Sequence, residues 1–278
     1  MCQSKDLNKM KKKLAIFILF GFSPFGNPIS AQTQETKIDL QHFFGTYDGA
    51  FILYDISNDK YIHSDPVLSE TEFLPASTFK IFNALVGLET GVVADSGVIY
   101  QWDGIERSVP VWNRDHSLAS GMKYSVVWYY QELAKRIGKD KMQQYLSRED
   151  YGNQTISEID IFWLDGSLKI TPKQQVNFLK LLYEEKLAFS PKVQRTVKQL
   201  ILQEEEGNLK LYGKTGWGMI EDTDYGWYVG ILERGKDAYC FATILYGKEI
   251  PKTFGSDRIS ITKDILKDLN LYHSMKKW

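Results

Sequence analysis

The protein has 278 residues, of which 43% are hydrophobic and 25% charged, and its formal net charge is −1. These ordinary values indicate a folded domain with a substantial core and argue against a disordered chain. A net charge this close to zero gives no electrostatic reason to expect a nucleic acid as partner.

The N-terminal segment, residues 1–31, predicts a secretory signal. Three lysines at residues 11–13 precede a short apolar run, and small residues follow at Ser30-Ala31. This order is typical of a signal peptide cleaved after Ala31. A membrane anchor is the alternative, but the run is much shorter than the roughly 20 apolar residues that span a bilayer. We therefore expect a periplasmic or secreted protein without stable membrane insertion after cleavage, whose domain covers residues 32–278.

The two cysteines lie far apart in the chain. Cys2 precedes the apolar run, so it cannot be the lipid-bearing cysteine that would follow one, and Met10 is a second candidate translation start. Signal cleavage would leave Cys240 alone and so exclude an internal disulfide, although the compartment would permit one. Because Cys240 lies in a strand-like run, we expect a buried, unreactive thiol.

Strand-like segments occupy the two ends of the mature chain. Residues 47–54 and 60–63 are rich in β-forming side chains and flank the turn residues Asn58-Asp59, which predicts a hairpin. Three more strands are predicted late in the chain, at residues 209–212, 226–232 and 239–246.

Helical patterns fill the middle of the chain. Apolar residues recur at spacings of three and four from Ser77 to Gly91, and further helices are predicted at residues 125–137, 171–187 and 260–269. Thr171 is the expected N-cap of the third, with Pro172 at its first position. Strands at both ends with helices between them predict an α/β (α+β) fold, in which helices flank an antiparallel sheet and a helical lobe is inserted. A small-molecule site is expected in the cleft between the two.

Ser77-Thr78-Phe79-Lys80 is the first candidate for chemistry. Residues three apart share a helix face, so the Ser77 hydroxyl and the Lys80 amine can meet. Serine becomes a good nucleophile when a neighbour removes its proton, and a lysine can do so if burial lowers its pKa. The motif alone is not specific, because the same spacing of serine and lysine also occurs at residues 120–123, 260–263 and 274–277.

Further motifs follow Ser77, and each has an ordinary structural explanation when taken alone. Lys214-Thr215-Gly216 ends a predicted strand, where it can be a strand end with a turn glycine or the cationic wall of a cleft that binds a carboxylate. Ser125-Val126-Val127 could be a helix cap and Tyr151-Gly152-Asn153 a turn. Trp163-Leu164-Asp165-Gly166 could contain a buried aromatic, and Arg258 could be a solvated charge.

Taken together, these motifs resemble the class D serine β-lactamases, the oxacillinase group. The order along the chain is Ser-Thr-Phe-Lys, Ser-x-Val, Tyr-Gly-Asn, Trp-x-x-Gly and Lys-Thr-Gly, at separations similar to those of the family. The resemblance covers essentially the whole mature chain. It implies the fold of serine β-lactamases and penicillin-binding proteins, a β-lactam as substrate, and an enzyme that confers β-lactam resistance.

The resemblance also implies roles for individual residues. Ser77 would attack the lactam carbonyl. Lys80 would react with CO2 to carry a carboxylate, and this carboxylate would serve as the general base. No other added group would be required. Trp163 would donate its indole N–H to that carboxylate, and Ser125 with Lys214 would protonate the leaving nitrogen. The remaining residues would bind the substrate: Thr215 and Arg258 its carboxylate, Gly216 through its place in the motif, and Trp217 and Ser77 the oxyanion through their backbone N–H groups.

One feature favours a different mechanism. Glu149 and Asn153 have the Glu-x-x-x-Asn spacing of class A β-lactamases, in which a glutamate activates the deacylating water. Val127, however, stands where class A has an asparagine, and an apolar residue suits a neutral lysine better. We therefore expect the lysine carboxylate to be the base.

Two rival functions share parts of the pattern. A non-hydrolysing β-lactam sensor would be acylated without turnover, but such receptors follow several membrane helices, whereas this chain has one short apolar run. A penicillin-binding peptidase shares the serine, the lysine and the Lys-Thr-Gly motif, but the Tyr-Gly-Asn and Trp-x-x-Gly motifs favour the lactamase. No metal site is predicted, because the histidines are scattered: His42, His63, His116 and His273.

The substrate spectrum depends on loops around the cleft, including residues 217–225, and the oligomeric state is not specified by the sequence.

Overall fold

The computed structural model describes residues 33–273, so the predicted signal at residues 1–31 lies outside the described residues. The strands are β1 (Gln34–Lys37), β2 (Asp48–Asp55), β3 (Lys60–His63), β4 (Ile99–Tyr100), β5 (His116–Ser117), β6 (Leu202–Glu206), β7 (Leu209–Ile220), β8 (Thr223–Arg234) and β9 (Asp237–Gly247). The helices are α1 (Gln41–Phe44), α2 (Pro66–Ser69), α3 (Lys80–Glu89), α4 (Leu118–Lys123), α5 (Val127–Ile137), α6 (Lys139–Arg148), α7 (Pro172–Tyr183), α8 (Pro191–Leu200) and α9 (Phe254–Asp268).

A seven-stranded sheet joins the two ends of the domain in the order β1-β3-β2-β9-β8-β7-β6. Its neighbouring strands are antiparallel except for β1 and β3, which are parallel. The helices from α3 to α8 lie between the early and late strands in sequence, whereas α9 follows the last strand. The predicted fold class, an antiparallel sheet with flanking helices and an inserted helical lobe, is confirmed.

Both faces of this sheet are covered by hydrophobic clusters, as the side chains of strand β2 illustrate. Along β2 the side chains alternate between two hydrophobic clusters, with Ala50 and Ile52 in one and Phe51 and Leu53 in the other. Successive residues of a strand point to opposite faces, so a strand between two packed layers is apolar throughout. The first cluster packs against the helical lobe, and the second packs beneath α1 and α9.

The predicted helices are present, with different boundaries. Thr171 is the N-cap of α7, and its side chain and that of Gln174 form the reciprocal hydrogen bonds of a capping box. The first predicted helix starts as a 3-10 turn at Ala76–Phe79 and becomes α-helical only at Lys80. The second begins two residues late, at Val127, because Ser125 has a positive φ of 54° that no α-helix contains.

The expectation that Lys214-Thr215-Gly216 ends a strand is wrong. Strand β7 continues to Ile220 and pairs with β8 along its whole length, so residues 217–225 belong to a hairpin rather than a loop. The sheet therefore carries the motif in its interior, on a rigid strand. Cys240 is fully buried in β9, as expected, and burial raises the pKa of its thiol.

Six short elements were not predicted, namely β1, α1, α2, β4, β5 and α4, and neither were three others: α6, α8 and β6. Their sequences are mostly polar, and β6 contains three successive glutamates. None of the helices within residues 33–273 is long and apolar enough to cross a membrane.

Candidate active site

Ser77 lies in the 3-10 turn that leads into α3, and Lys80 is the first residue of that helix. The turn brings the two side chains together, and the Lys80 Nζ donates a hydrogen bond to the Ser77 Oγ at 2.6 Å. Lys80 is completely buried, whereas Ser77 keeps 9% of its surface exposed. The hydroxyl is thus reachable from the cleft, and its neighbouring amine is not.

Buried hydrogen bonds hold this nucleophile turn. Ala76 has a positive φ of 47°, which is unfavourable for a residue with a Cβ and persists only where the surroundings enforce it. The Thr78 hydroxyl donates to the Pro75 carbonyl at 2.7 Å and accepts from the Gln175 amide at 2.8 Å. The Trp227 indole donates to the carbonyl just before Pro75, at 2.8 Å. Gln175 and Trp227 were not predicted from the sequence, because they belong to no motif and act on Ser77 only through the backbone of its turn.

The pocket around Lys80 is apolar and favours an uncharged amine. Burial lowers the pKa of Lys80 well below 10.5, and the positive charge of Lys214 lowers it further. The Tyr130 ring centroid lies 5.6 Å from the Lys80 Nζ. Trp163 is fully buried and stacks on Phe79 at 5.3 Å, and its indole N–H has no hydrogen-bond acceptor among residues 33–273. A buried donor without an acceptor is costly, so this one indicates a missing partner.

Ser125 and Lys214 form a second pair of polar side chains. Lys214 donates to the Ser125 Oγ at 3.0 Å and to the Thr215 carbonyl at 2.8 Å. Burial, with a contribution from the charge of Arg258, lowers the pKa of Lys214 to about 7. A lysine with this pKa can give up a proton near neutral pH and take it back, as a general acid must.

The second half of β7 and the start of α9 make a cationic wall. Arg258 is 9% exposed and donates through Nη1 to the Gly216 carbonyl and through Nε to the Gly255 carbonyl. Its guanidinium lies 5.7 Å from the Trp217 ring centroid. The solvated charge that the local sequence suggested for Arg258 is therefore wrong. Burial lowers the pKa of Arg258 to about 10, so it remains a cation at neutral pH.

Gly216 allows β7 to approach the nucleophile turn. A Cβ at this position would lie 3.0 Å from the Pro75 carbonyl oxygen and 3.3 Å from the Thr78 backbone nitrogen. Any other residue would push the strand away from the turn. Thr215 is half-buried, and Trp217 is 45% exposed at the rim, with its indole donating to Asp224 at 2.7 Å.

Comparison with known proteins places this site in a family. The family model described as the penicillin binding protein transpeptidase domain matches residues 54–269. Beta-lactamase OXA-48 of Klebsiella pneumoniae is 38% identical over 91% of this chain and 95% of its own length. A class D β-lactamase from Sebaldella termitidis superposes with a TM-score of 0.84 at 35% identity, covering 87% of this chain and 100% of that one.

The chain belongs to the class D β-lactamase family.

Receptor domains share the family fold. The chain is 34% identical to regulatory protein BlaR1 of Bacillus licheniformis over 99% of its own length but only 48% of that protein's. The solved C-terminal domain of the Bacillus licheniformis BlaR penicillin-receptor superposes with a TM-score of 0.83 at 35% identity, over 87% of this chain and 98% of that one. Fold similarity therefore does not separate an enzyme from a receptor.

The Tyr-Gly-Asn region of this class D β-lactamase contacts the elements that carry Lys80 and Trp163. Tyr151 is buried against Phe82, at 4.7 Å between ring centroids. Asn153 bonds to the backbone of Ser167 and Lys169, at 2.9 Å in both cases, and so fixes the segment that follows Trp163. Tyr151 thus packs on α3, the helix that begins at Lys80, and Asn153 anchors the loop after Trp163.

Glu149 is engaged elsewhere. Its carboxylate accepts a hydrogen bond from the Ala188 backbone at 3.0 Å, and burial raises its pKa. Within residues 33–273, no hydrogen bond joins Glu149 to Ser77 or Lys80, so the class A spacing in the sequence is not matched by a class A contact. The same range contains no group of three or more His, Cys, Asp or Glu side chains that could hold a metal ion.

Proposed function

We propose that this protein hydrolyses the cyclic amide of β-lactam antibiotics through an acyl-enzyme on Ser77. The observation that carries the proposal is the 2.6 Å hydrogen bond between the Ser77 hydroxyl and a completely buried lysine whose pKa is well below its usual value. An adjacent amine whose neutral form is favoured by burial can act as the base that activates a serine for attack on a carbonyl.

The first step forms a bond between Ser77 Oγ and the lactam carbonyl carbon, while the hydroxyl proton moves toward Lys80. Backbone N–H groups of Ser77 and Trp217 would bind the oxyanion, and one such donor contributes about 3 kcal/mol to lowering the barrier. When the C–N bond breaks, the nitrogen takes a proton from Ser125, which is resupplied by Lys214 at 3.0 Å. Water then attacks the ester to release Ser77.

The cationic wall would hold the carboxylate of the substrate. Arg258 remains positively charged at neutral pH, and the Thr215 hydroxyl lies on the neighbouring strand. A charged and a neutral donor together orient a carboxylate in a cleft better than either one alone. Binding at this wall would place the lactam carbonyl against Ser77.

The residues around Lys80 fit the addition of CO2 to its amine. A neutral amine can attack CO2, whereas an ammonium cannot, and the buried Trp163 indole offers a hydrogen bond that no described residue accepts. As the N–C bond forms, the amine would lose one proton to water, and the resulting carboxylate would supply the general base for acylation and deacylation. Trp163 would orient it, and the apolar lining would keep bulk water from protonating Lys80.

Bicarbonate is therefore expected to control activity. Removing CO2 from the buffer should lower kcat for nitrocefin several-fold, and adding sodium bicarbonate should restore it within minutes. Sodium chloride at equal ionic strength is the control. If activity is the same with and without bicarbonate, and Glu149→Gln traps the acyl-enzyme, the base is Glu149 and the lysine proposal is wrong.

The enzyme proposal is tested against the receptor alternative by following nitrocefin hydrolysis beyond the first turnover. We expect a linear steady state after any burst, and mass spectrometry of quenched samples should place the acyl group on the peptide that contains Ser77. A burst of one equivalent without further hydrolysis would show a receptor instead, and acylation at another residue would overturn the site.

Secretion is part of the proposal. Residues 1–31 have the order of a signal peptide. This pattern and the similarity to β-lactamases support secretion. N-terminal sequencing of protein recovered from the periplasm or the medium tests it, and we expect Gln32 as the first residue.

A further inference from the structure

A cavity of about 280 Å³ lies beside the Ser125–Lys214 pair. Its lining includes Ser125, Lys214 and Thr215 and continues to Gln203, Glu204 and Tyr228, but it does not include Ser77, Lys80, Trp163, Trp217 or Arg258. The cavity thus shares Ser125, Lys214 and Thr215 with the cleft and extends from them to β6, which carries Gln203 and Glu204. It is large enough for several water molecules and has polar side chains to bind them.

Tyr228 brings a hydroxyl to this cavity. The tyrosine is 3% exposed and lies over Gly213, where a Cβ would come within 2.5 Å of the hydroxyl oxygen. Gly213 is thus the residue that makes room for Tyr228 beside Lys214. Burial and the nearby charge of Glu204 raise the pKa of this hydroxyl, and Glu204 lines the same cavity. A buried hydroxyl in this position is complementary to a bound water.

Lys214 must regain the proton that it gives to Ser125, and the cavity is the space beside it from which a proton can come. Two of its three N–H bonds point to Ser125 and to the Thr215 carbonyl, which leaves one for a further partner. Lys214 is 5% exposed, and a bound substrate would cover the cleft in front of it. After acylation Ser77 is an ester without a hydroxyl, so it can no longer pass a proton from Lys80 towards Ser125.

We propose that the Tyr228 cavity is the route by which Lys214 recovers its proton from solvent during the catalytic cycle. This inference rests on the proposed hydrolysis. In acylation one proton passes from Lys214 to Ser125 as the Ser125 proton moves to the departing lactam nitrogen, which leaves Lys214 as a neutral amine. A cavity water donates one proton to that amine, Tyr228 donates its hydroxyl proton to this water, and the next water towards solvent restores the hydroxyl.

Tyr228→Phe tests the route, because it removes the hydroxyl and keeps the ring. We expect kcat for nitrocefin in dilute, weakly buffering medium to fall by about tenfold, less than the ~10²-fold of a directly acting acid. kcat/KM should remain unchanged, because it reports only steps up to acylation, which precede the recovery of the proton. Imidazole, a small proton donor that titrates near pH 7, should restore kcat.

Tyr239→Phe is the matched control, since Tyr239 lies in the same hydrophobic cluster but does not line the cavity. It should change neither constant. Equal losses in kcat and kcat/KM for Tyr228→Phe, an unchanged kcat, or a loss that imidazole does not restore would each overturn the proton route. If the wild-type protein itself shows no turnover, the proposed hydrolysis fails, which is a different result from an active wild type with an unaffected Tyr228 variant.

Discussion

Methionine in place of Lys80 should lower kcat/KM for nitrocefin by about 10³-fold, within the range that a positioned general base contributes. The amine that contacts the Ser77 hydroxyl at 2.6 Å is lost, and so is the nitrogen that would take up CO2. Bicarbonate should not restore activity, because methionine has no group that can react with it. Steady-state kinetics with and without bicarbonate measure both effects, and Ser77→Ala sets the background.

The same substitution should stabilise the fold. Lys80 is protonated in the unfolded chain at neutral pH, but burial lowers its pKa well below 10.5 in the folded protein, so the folded state binds this proton less tightly. The unfolded state binds more protons, which penalises folding at neutral pH and makes stability rise as pH approaches 10.5. Methionine fills a similar volume without this penalty. The gain in Tm of Lys80→Met over wild type should therefore be larger at pH 7 than at pH 10.

Lys192→Met is the matched control, because Lys192 is exposed on α8. It should leave both kcat/KM and Tm near the wild-type values. A Lys80→Met protein that keeps a tenth or more of wild-type activity would show that another group is the base. A folded variant with a lower Tm than wild type would contradict the inference that burying the lysine is unfavourable.

The sequence predicts the architecture well because strands and helices are separated along the chain. It underestimates β7 and β8, because glycines at positions 213, 216, 218, 226 and 230 interrupt the β-forming pattern. In the structure these glycines remain within strands and provide space for large groups on neighbouring elements. At Gly218, for example, a Cβ would lie 2.6 Å from the Leu74 side chain. A glycine that is needed for close packing cannot be distinguished from a turn glycine by its position in the sequence.

The sequence also predicts which side chains could form the site, but not how they are held. Ser77 and Lys80 lie within one helical turn, so their contact follows from local geometry. Ser125 and Lys214 are 89 positions apart, and their contact depends on the turn between α4 and α5 being placed beside β7. The full burial of Lys80 results from side chains on several elements, and no local pattern reports it.

Phenylalanine in place of Trp163 is expected to weaken the affinity of Lys80 for CO2 by about 10- to 100-fold. The indole N–H would donate to a carboxylate, and hydrogen bonds to charged groups contribute about 1.5–3 kcal/mol, or roughly one to two factors of ten. The ring contact with Phe79 is retained in part. The ¹³C signal of the lysine carboxylate, followed by NMR as ¹³C-bicarbonate is added, measures the affinity directly, and kcat should follow the same titration.

Trp128→Phe separates this effect from the loss of a buried indole in general. The Trp128 indole already donates to the Trp112 carbonyl at 2.8 Å, whereas the Trp163 indole has no acceptor among the described residues. Removing a satisfied donor leaves a carbonyl without its partner and lowers stability, but removing an unsatisfied one relieves a penalty of about 1–3 kcal/mol. Trp128→Phe should therefore lower Tm more than Trp163→Phe in CO2-free buffer, without changing the bicarbonate titration. If the two variants titrate alike, the unpartnered indole does not bind the carboxylate, and its place in the Lys80 pocket is only structural.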